Sequence, residues 1–532
     1  MDIVIVGSGP SAAAVCLALQ DNPDITLTVL DLGGELEADR VASRSGLASS
    51  DPTGWDPVQV AHLSTPPKPE APGAIPRKQI YGSNFPFADM GQLQGVAAKG
   101  SANDLVVSGA YGGFSNTWGA QVMPYSTGTF RTWPISRDDL EPHYRAILRH
   151  IPFSGEADDL EEAFPLFGTP SHLPTVSERT RRVLSRYEKN RIGARRHGVT
   201  AGHARLALRG SDCRLCGLCM TGCPYELIYS ASQTFDELRR SGRVRYHSGV
   251  RVHRVEETSD GSSIVHATSA TGGGAVSFTA DRVFLCAGAI GTTRIVAGSL
   301  GITDTTITLE ESAQFMMPFL SLRPVKHVTQ DGEFTLNQFN LFINFDSDGK
   351  DASLVHCYPY NDIMMASLPS IATAGPLEAV TKLGLRHVTV GLGYLPSWAS
   401  PQPTLRLGGR PNEGELPSIT VATKDNDATA PMLKNVISRL RRAGRSLDLY
   451  PIPGQTKLSG AAKSYHYGGS FPHHASPSDQ FSSDLFGRVA GLRNVHLVDA
   501  SVFPTVPATT FTLTIMANAH RIASALAAGS LS

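Results

Sequence analysis

Apolar and polar positions follow two periods along this chain, and the dominant one changes near residue 305. Asp2–Val6 is a short apolar run, residues 11–19 form an alanine-rich stretch of helical character, and residues 25–30 are a second apolar run. Together they predict strand, turn, helix and strand. Residues 133–151, WPISRDDLEPHYRAILRHI, predict a helix capped by Ser136, with two aspartates ahead of an apolar stripe. The basic stretch 179–196 reads as a solvated helix face. RVRYHSGVRVHRVE and SFTADRVFLCAGA are strand-like. From about 305 to 418, alternation in TITLEESAQFMMPFLSL, FTLNQFNLFINF, SLVHCYPY, RHVTVGLGY and PSITVAT predicts a half-exposed antiparallel sheet broken by Pro, Gly and Asp turns. A helix is expected at 430–443, and HLVDASVFP and FTLTIMANAHRIASALAA return to strand and helix. Residues 46–76, rich in Pro, Ser and Thr and without a period, predict a long surface excursion, either lid or linker.

At 532 residues, the chain has room for several domains and an ample core. The net charge of −1 and a pI near 7.0 leave no electrostatic footprint for nucleic acid or an anionic membrane, so the expected partner is a small molecule. No run approaches 18 apolar residues, and the opening MDIVIVGSGPSA enters a glycine turn where a secretory signal would need a cleavage site. Of seven cysteines, four sit in CRLCGLCMTGC. An odd, clustered set argues against a secreted disulfide framework, and a cytoplasmic location is expected.

VGSGPSA fits a dinucleotide-binding turn, with Gly7 and Gly9 in place and Ala12 at the third glycine position. Pro10 and Ser11 open the helix whose free N–H groups would face phosphates. Asp31 follows the next strand, 24 residues after Gly7, where a carboxylate can accept from ribose hydroxyls. The motif alone does not separate FAD from NAD.

HYGGSFP at 466–472 and NVHLVDASVFPTVPATTFTLTIMANAHRIA at 494–523, with YGGFSNTWGA at 111–120, WPIS at 133 and FLCAGAIGTTRI at 284–295, closely resemble the motifs of the glucose–methanol–choline (GMC) oxidoreductases, nearer to their sugar-oxidising, pyranose oxidase-like members. The resemblance implies an α/β fold: a Rossmann-type FAD-binding domain plus an α+β substrate domain with an antiparallel sheet. It implies FAD-binding segments at 1–130, 201–300 and 456–532, cap helices at 131–200 and a substrate-binding domain at 301–455. Gly7, Gly9, Pro10, Ser11 and Asp31 would bind the ADP portion, and Val252 the adenine side through its backbone. Ala287 and Gly288 would line the pyrophosphate. Asn116 and Trp118 would sit near the isoalloxazine, Asp499 at the ribityl–pyrophosphate region, and Thr510, Phe511 and Thr512 at the pyrimidine edge. Thr117 stands where pyranose oxidases carry a flavin-tethering histidine, so noncovalent FAD is implied.

The implied reaction is removal of a hydride from an alcohol carbon of a sugar, aminosugar or polyol to flavin N5, with electrons passing to oxygen or a redox partner. His466 occupies the catalytic histidine position, followed by Gly469 and Ser470. The family usually places a second histidine or asparagine before a proline in the last motif. Here Thr510 and Phe511 stand there; a threonine can hydrogen-bond a substrate oxygen but cannot act as base. His473 and His474 are alternative bases or plain loop histidines. Other readings are oxidation of a bulky apolar sterol or fatty alcohol, and a non-catalytic flavin electron carrier.

Cys213, Cys216, Cys219 and Cys223 have the C-x₂-C-x₂-C-x₃-C-P spacing of a ferredoxin run. They predict a [4Fe–4S] or [3Fe–4S] cluster relaying electrons, against zinc or plain thiol packing. Cys16, Cys286 and Cys357 sit in apolar surroundings and predict core positions.

Overall fold

The computed structural model describes residues 1–65, 78–87, 96–98, 106–269, 272–329, 332–346, 351–362, 376–460, 463–477 and 479–529. Two sheets organise them. The first is parallel and five-stranded, in the order Val495–Leu497, Arg282–Leu285, Asp2–Val6, Thr26–Leu30, Val244–His247. Its central runs, IVIV and VFL, are unbrokenly apolar because both faces are covered, by helices such as Pro10–Leu19 and by the three-stranded sheet Val250–Glu257, Ser263–Ser269 and Ala275–Ala280, so neither side needs polar residues. The helix Pro10–Leu19 is buried almost all round, its alanines letting it lie close against the last helix, Thr512–Ala527.

The second sheet is antiparallel and seven-stranded, running Tyr450–Pro451, Gln314–Leu320, Val388–Tyr394, Ala352–Tyr358, Phe339–Asn344, Val199–His203, with Lys457–Leu458 also paired to Gln314–Leu320. Alternation divides its faces. Phe315, Met317, Leu341, Val355 and Cys357 pack with residues of the helices Glu178–Arg195 and Thr429–Leu447. Gln314, His356, Tyr358, Leu392 and Tyr394 turn to a cavity between this sheet and the first one. The fold is thus mixed α/β with parallel and antiparallel sheets, as expected from the sequence.

Local signals explain most elements. Ser136 caps the helix Arg137–His150 in a full capping box: its hydroxyl accepts from Asp139 N at 3.2 Å, and Asp139 Oδ2 accepts from Ser136 N at 2.8 Å. Three expectations change. The stretch at 46–76 carries the helix Pro57–Ser64, started by Asp56 as cap and Pro57 at the first position; it is too short for a period to show. Residues 66–76 lie outside the described residues. SFTADRVFLCAGA breaks at Asp281 into strands of two different sheets, since Ala275–Ala280 belongs with Ser263–Ser269. The alternating region 305–418 likewise splits, with Thr306–Thr308 and Gln402–Leu407 in a separate four-stranded sheet. Among the described residues, no helix is long and apolar enough to cross a membrane.

Candidate active site

A cavity of about 770 Å³ lies at the carboxyl ends of the parallel strands, bounded by Val6, Leu30 and Cys286 on one side and the antiparallel sheet on the other. Open α/β sheets place ligands at such strand ends. Gly7 turns the chain there with φ +103; a Cβ at this position would come within 2.6 Å of the Cys286 carbonyl oxygen. Only glycine lets the first strand pass that neighbour and enter the helix. The turn at 111–116 closes over it: Gly113 has φ +58 and its Cβ position lies 3.3 Å from Gly9 Cα, while Gly112 N donates to Ser8 Oγ at 2.9 Å. The two glycine motifs, a hundred residues apart in sequence, form one floor.

Three helices begin at this cavity. Pro10–Leu19, Gly288–Leu300 and Thr512–Ala527 all have first-turn residues in its wall, and none carries an acidic residue in its first turn. Three uncompensated positive dipole ends suit an elongated anionic ligand such as a pyrophosphate. Asp31 marks one end. Its Oδ2 accepts from Ser8 Oγ at 2.6 Å and Tyr246 OH at 2.8 Å, and burial raises its carboxyl to about 6 despite those donors. Asp499 is also buried, which raises its carboxyl; it accepts from Thr292 Oγ1 at 2.5 Å, Ser501 N at 2.9 Å and the Gly288 backbone. Val252, Ala287, Gly288 and Trp118 complete this part of the wall.

At the other end stands His466. Its ring lies between Tyr394, stacked at 4.6 Å between centroids, and Phe511 at 4.7 Å. Burial pushes the imidazole down to about 3, so it stands neutral, and the same burial disfavours the imidazolium that would form on taking a proton. Its Nδ1 is buried with no protein hydrogen-bond partner, as is Thr510 Oγ1 beside it in the wall. Buried polar atoms are seldom left so, and two of them together point to a ligand that satisfies this end.

Most residues expected at the site converge here: Gly7, Gly9, Pro10, Ser11, Asp31, Trp118, Val252, Ala287, Gly288, His466, Asp499, Thr510, Phe511 and Thr512 all line the one cavity. Asn116 does not. Its Nδ2 donates to Tyr111 and Gly113 carbonyls at 2.9 and 2.8 Å and its Oδ1 accepts from Ser230 Oγ, so it staples the turn from behind. His473 is equally committed elsewhere, with Nδ1 2.6 Å from the Asp484 carbonyl and Nε2 3.1 Å from Asn518 Nδ2. His474 is exposed and outside the cavity wall. Neither can replace His466. Ser470 lies behind the wall, accepting from Thr293 Oγ1 at 2.7 Å.

The cysteine run does not fit a cluster. Among the described residues, no three His, Cys, Asp or Glu side chains are gathered to hold a metal ion. Burial raises the Cys213 and Cys223 thiols to about 11 and 12, and the Leu215 N–H donates to Cys213 Sγ at 3.5 Å. Left-handed turns at Leu215, Gly217 and Gly222 shape the loop, which keeps the four thiols close enough to feel one another's charge without gathering three of them around a metal position. Cys16 and Cys357 are core, and Cys286 is buried but forms cavity wall.

The sequence reading passed over two wall residues. His356 hides in SLVHCYPY, where its signal is alternation: Val355 and Cys357 face the core, so His356 must face away. Lys78, beside residues too irregular to read, donates to the Trp118 carbonyl at 2.6 Å, and burial lowers its ammonium to about 8.

Comparison with known proteins bears on the family and the fold. Residues 403–519 match the family model described as GMC oxidoreductase. No curated protein matches. Among solved structures, the pyridoxine 4-oxidase from Mesorbium loti is 16% identical with a TM-score of 0.57, covering 98% of each chain. A mutant formate oxidase of Aspergillus oryzae RIB40, studied for its FAD modification, is 13% identical with a TM-score of 0.58, covering 100% of this chain and 99% of that one.

Proposed function

We propose that this chain is a GMC oxidoreductase that binds FAD noncovalently and oxidises an alcohol group of a small polar hydroxylated metabolite to the carbonyl; the family match at residues 403–519 and the shared fold support that reading. The observation that carries the reading is a neutral, aromatic-clamped His466 at the far end of a cavity whose near end has a dinucleotide turn. Gly7, Gly9, Pro10, Ser11 and Asp31 would hold the ADP portion, with Val252 at the adenine side and Ala287, Gly288 and Asp499 along the phosphates and ribityl chain. Thr510, Phe511 and Thr512, at the start of the last helix, would meet the pyrimidine edge, and Trp118 the ring. Asn116 contributes by fixing the turn that carries Trp118.

When bound, FAD supplies an acceptor at N5 for the hydride and its two electrons. His466 then takes the hydroxyl proton as the carbon gives up hydride, which leaves a carbonyl and a protonated imidazole. A positioned base of this kind contributes about 10²- to 10⁴-fold. Thr510 cannot take the proton; its hydroxyl holds the substrate oxygen. Stacking on Tyr394 and the tilted Phe511 ring on its other side restrict the imidazole, so little ordering remains to be done at reaction.

The substrate end combines Gln314, Tyr358, Tyr394 and Ser459 with Leu336 and Leu392. That mixture favours a sugar, aminosugar or polyol over a sterol or fatty chain. The acceptor, oxygen or a redox partner, takes the electrons in a second half-reaction, and no iron–sulfur step enters. A cytoplasmic location follows from the cysteine pattern. The test is to reconstitute the protein with FAD, exclude oxygen and screen carbinols for bleaching of the flavin band. A protein that stays colourless, or a flavin that no alcohol reduces, would overturn the reading.

A further inference from the structure

We propose that His356 is the second polar contact for the reacting alcohol, placed on the antiparallel sheet and serving where Thr510 offers only a short hydroxyl. This rests on the alcohol oxidation proposed above. His356 is 3% exposed and lies in the middle of Ala352–Tyr358, paired with Asn340 on one side and Leu392 on the other. Its neighbours Val355 and Cys357 enter the core beneath the sheet, so its ring is delivered to the cavity wall.

The second observation is what the ring lacks. His356 Nε2 is buried without a protein hydrogen-bond partner, as are His466 Nδ1 and Thr510 Oγ1 in the same cavity wall. Next to it, Asn340 Oδ1 accepts from Gln121 Nε2 at 2.7 Å and from Asn337 Nδ2 at 2.9 Å. A histidine serving structure would have joined that network, as His473 joins its own.

The third observation is its position relative to the base. Both imidazoles pack on the same ring: Tyr394 lies 5.5 Å from His356 and 4.6 Å from His466, centroid to centroid. His466 and Thr510 come from the C-terminal segment, whereas His356 comes from the sheet across the cavity. An alcohol seated at His466 therefore meets polar groups from both walls. Burial and the neighbouring His466 hold His356 down to about 3, so it stays neutral and offers one donor and one acceptor nitrogen. It moves no proton in the reaction. It orients the substrate oxygen, or a hydroxyl beside it, so that the carbon faces the hydride acceptor.

The experiment compares His356→Leu and His356→Gln holoenzymes with the unmodified one. Leucine removes an unpaired buried polar atom, so the melting temperature is expected to stay or rise. Over the same change, the second-order rate constant for anaerobic flavin bleaching by the alcohols that reduce the unmodified enzyme is expected to fall about 10- to 100-fold. Glutamine, which keeps a donor and an acceptor, is expected to recover part of the loss. A markedly lower melting temperature in both variants would identify a structural histidine and overturn the assignment, as would unchanged bleaching in His356→Leu. Photoreduction of the flavin in each variant separates the cases. Loss of bleaching by alcohol with photoreduction intact implicates the substrate contact. Failure of the unmodified enzyme with every alcohol would instead strike the proposed oxidation, and the melting comparison would still decide whether His356 is structural.

Discussion

Gly9 and Gly7 sit two residues apart, yet the structure predicts that alanine at each fails for a different reason. Gly9 has φ −71 and ψ −178, which alanine adopts freely, and its Cβ position meets no heavy atom within 4 Å. In the cofactor-free protein Gly9→Ala therefore costs no more than about 1 kcal/mol, since alanine is only a poorer helix cap than glycine. With FAD bound, that open space is where the pyrophosphate must approach the backbone. A methyl group intruding on a packed contact costs about 1–3 kcal/mol, or roughly 5- to 150-fold in affinity. Gly7→Ala is the opposite case. Its backbone is left-handed and its Cβ would meet backbone atoms, the Cys286 carbonyl oxygen at 2.6 Å and its carbon at 3.1 Å, which cannot swing aside. Strain of about 1–2 kcal/mol and overpacking of about 1–3 kcal/mol fall on the fold itself. The assay is thermal unfolding of FAD-stripped protein together with FAD titration by fluorescence. Gly9→Ala should melt like the unmodified protein and bind FAD weakly, whereas Gly7→Ala should melt several degrees lower. Wild-type FAD affinity in Gly9→Ala would refute the placement of the pyrophosphate.

Three other outcomes are expected. In the proposed site Asp31 accepts from ribose hydroxyls most strongly when ionised, and burial raises its carboxyl to about 6; FAD affinity should therefore weaken as pH falls through 6, and Asp31→Asn should flatten that dependence. Affinity constant from pH 7.5 to 5 in the unmodified protein would speak against it. Burial holds His356, His466 and His473 down to about 3 and His143, His496 and His520 to about 4, so each takes a proton on unfolding once the pH drops below 6.5. Stability should fall steeply from pH 6.5 towards 4, the six histidines outweighing the opposite contributions of the raised carboxyls Asp31, Asp499, Glu310 and Glu333; a flat profile of denaturant midpoints would contradict this. Ser136→Ala removes the capping box of an exposed helix start and should cost about 1 kcal/mol in chemical denaturation while leaving FAD binding unchanged.

Elements that carry their own signal were legible from sequence. The dinucleotide turn, the Ser136 cap and the alternating strands of the antiparallel sheet each follow from residues close together in the chain. Sheet membership was not, because it is decided by distant partners: nothing local tells Ala275–Ala280 from Arg282–Leu285, yet they pair with different strands. The same limit governs the site. His466 is visible through its motif, but His356 becomes a neighbour of it only when two strands and Tyr394 bring them together. Asn116 shows the limit from the other side. Its motif is right, but its amide is consumed by the backbone turn that the surrounding glycines require. The cysteine run has the spacing of a cluster site, yet among the described residues no three of its thiols are gathered to hold a metal ion.

The most direct test of the account is the anaerobic reductive half-reaction of FAD-loaded protein with and without the imidazole at 466, followed at the flavin band by rapid mixing with an alcohol that bleaches the unmodified enzyme. The expected result is a 10²- to 10⁴-fold slower bleaching in His466→Ala with FAD content unchanged. Bleaching at the unmodified rate, with FAD still bound, would contradict the claim that this histidine takes the proton.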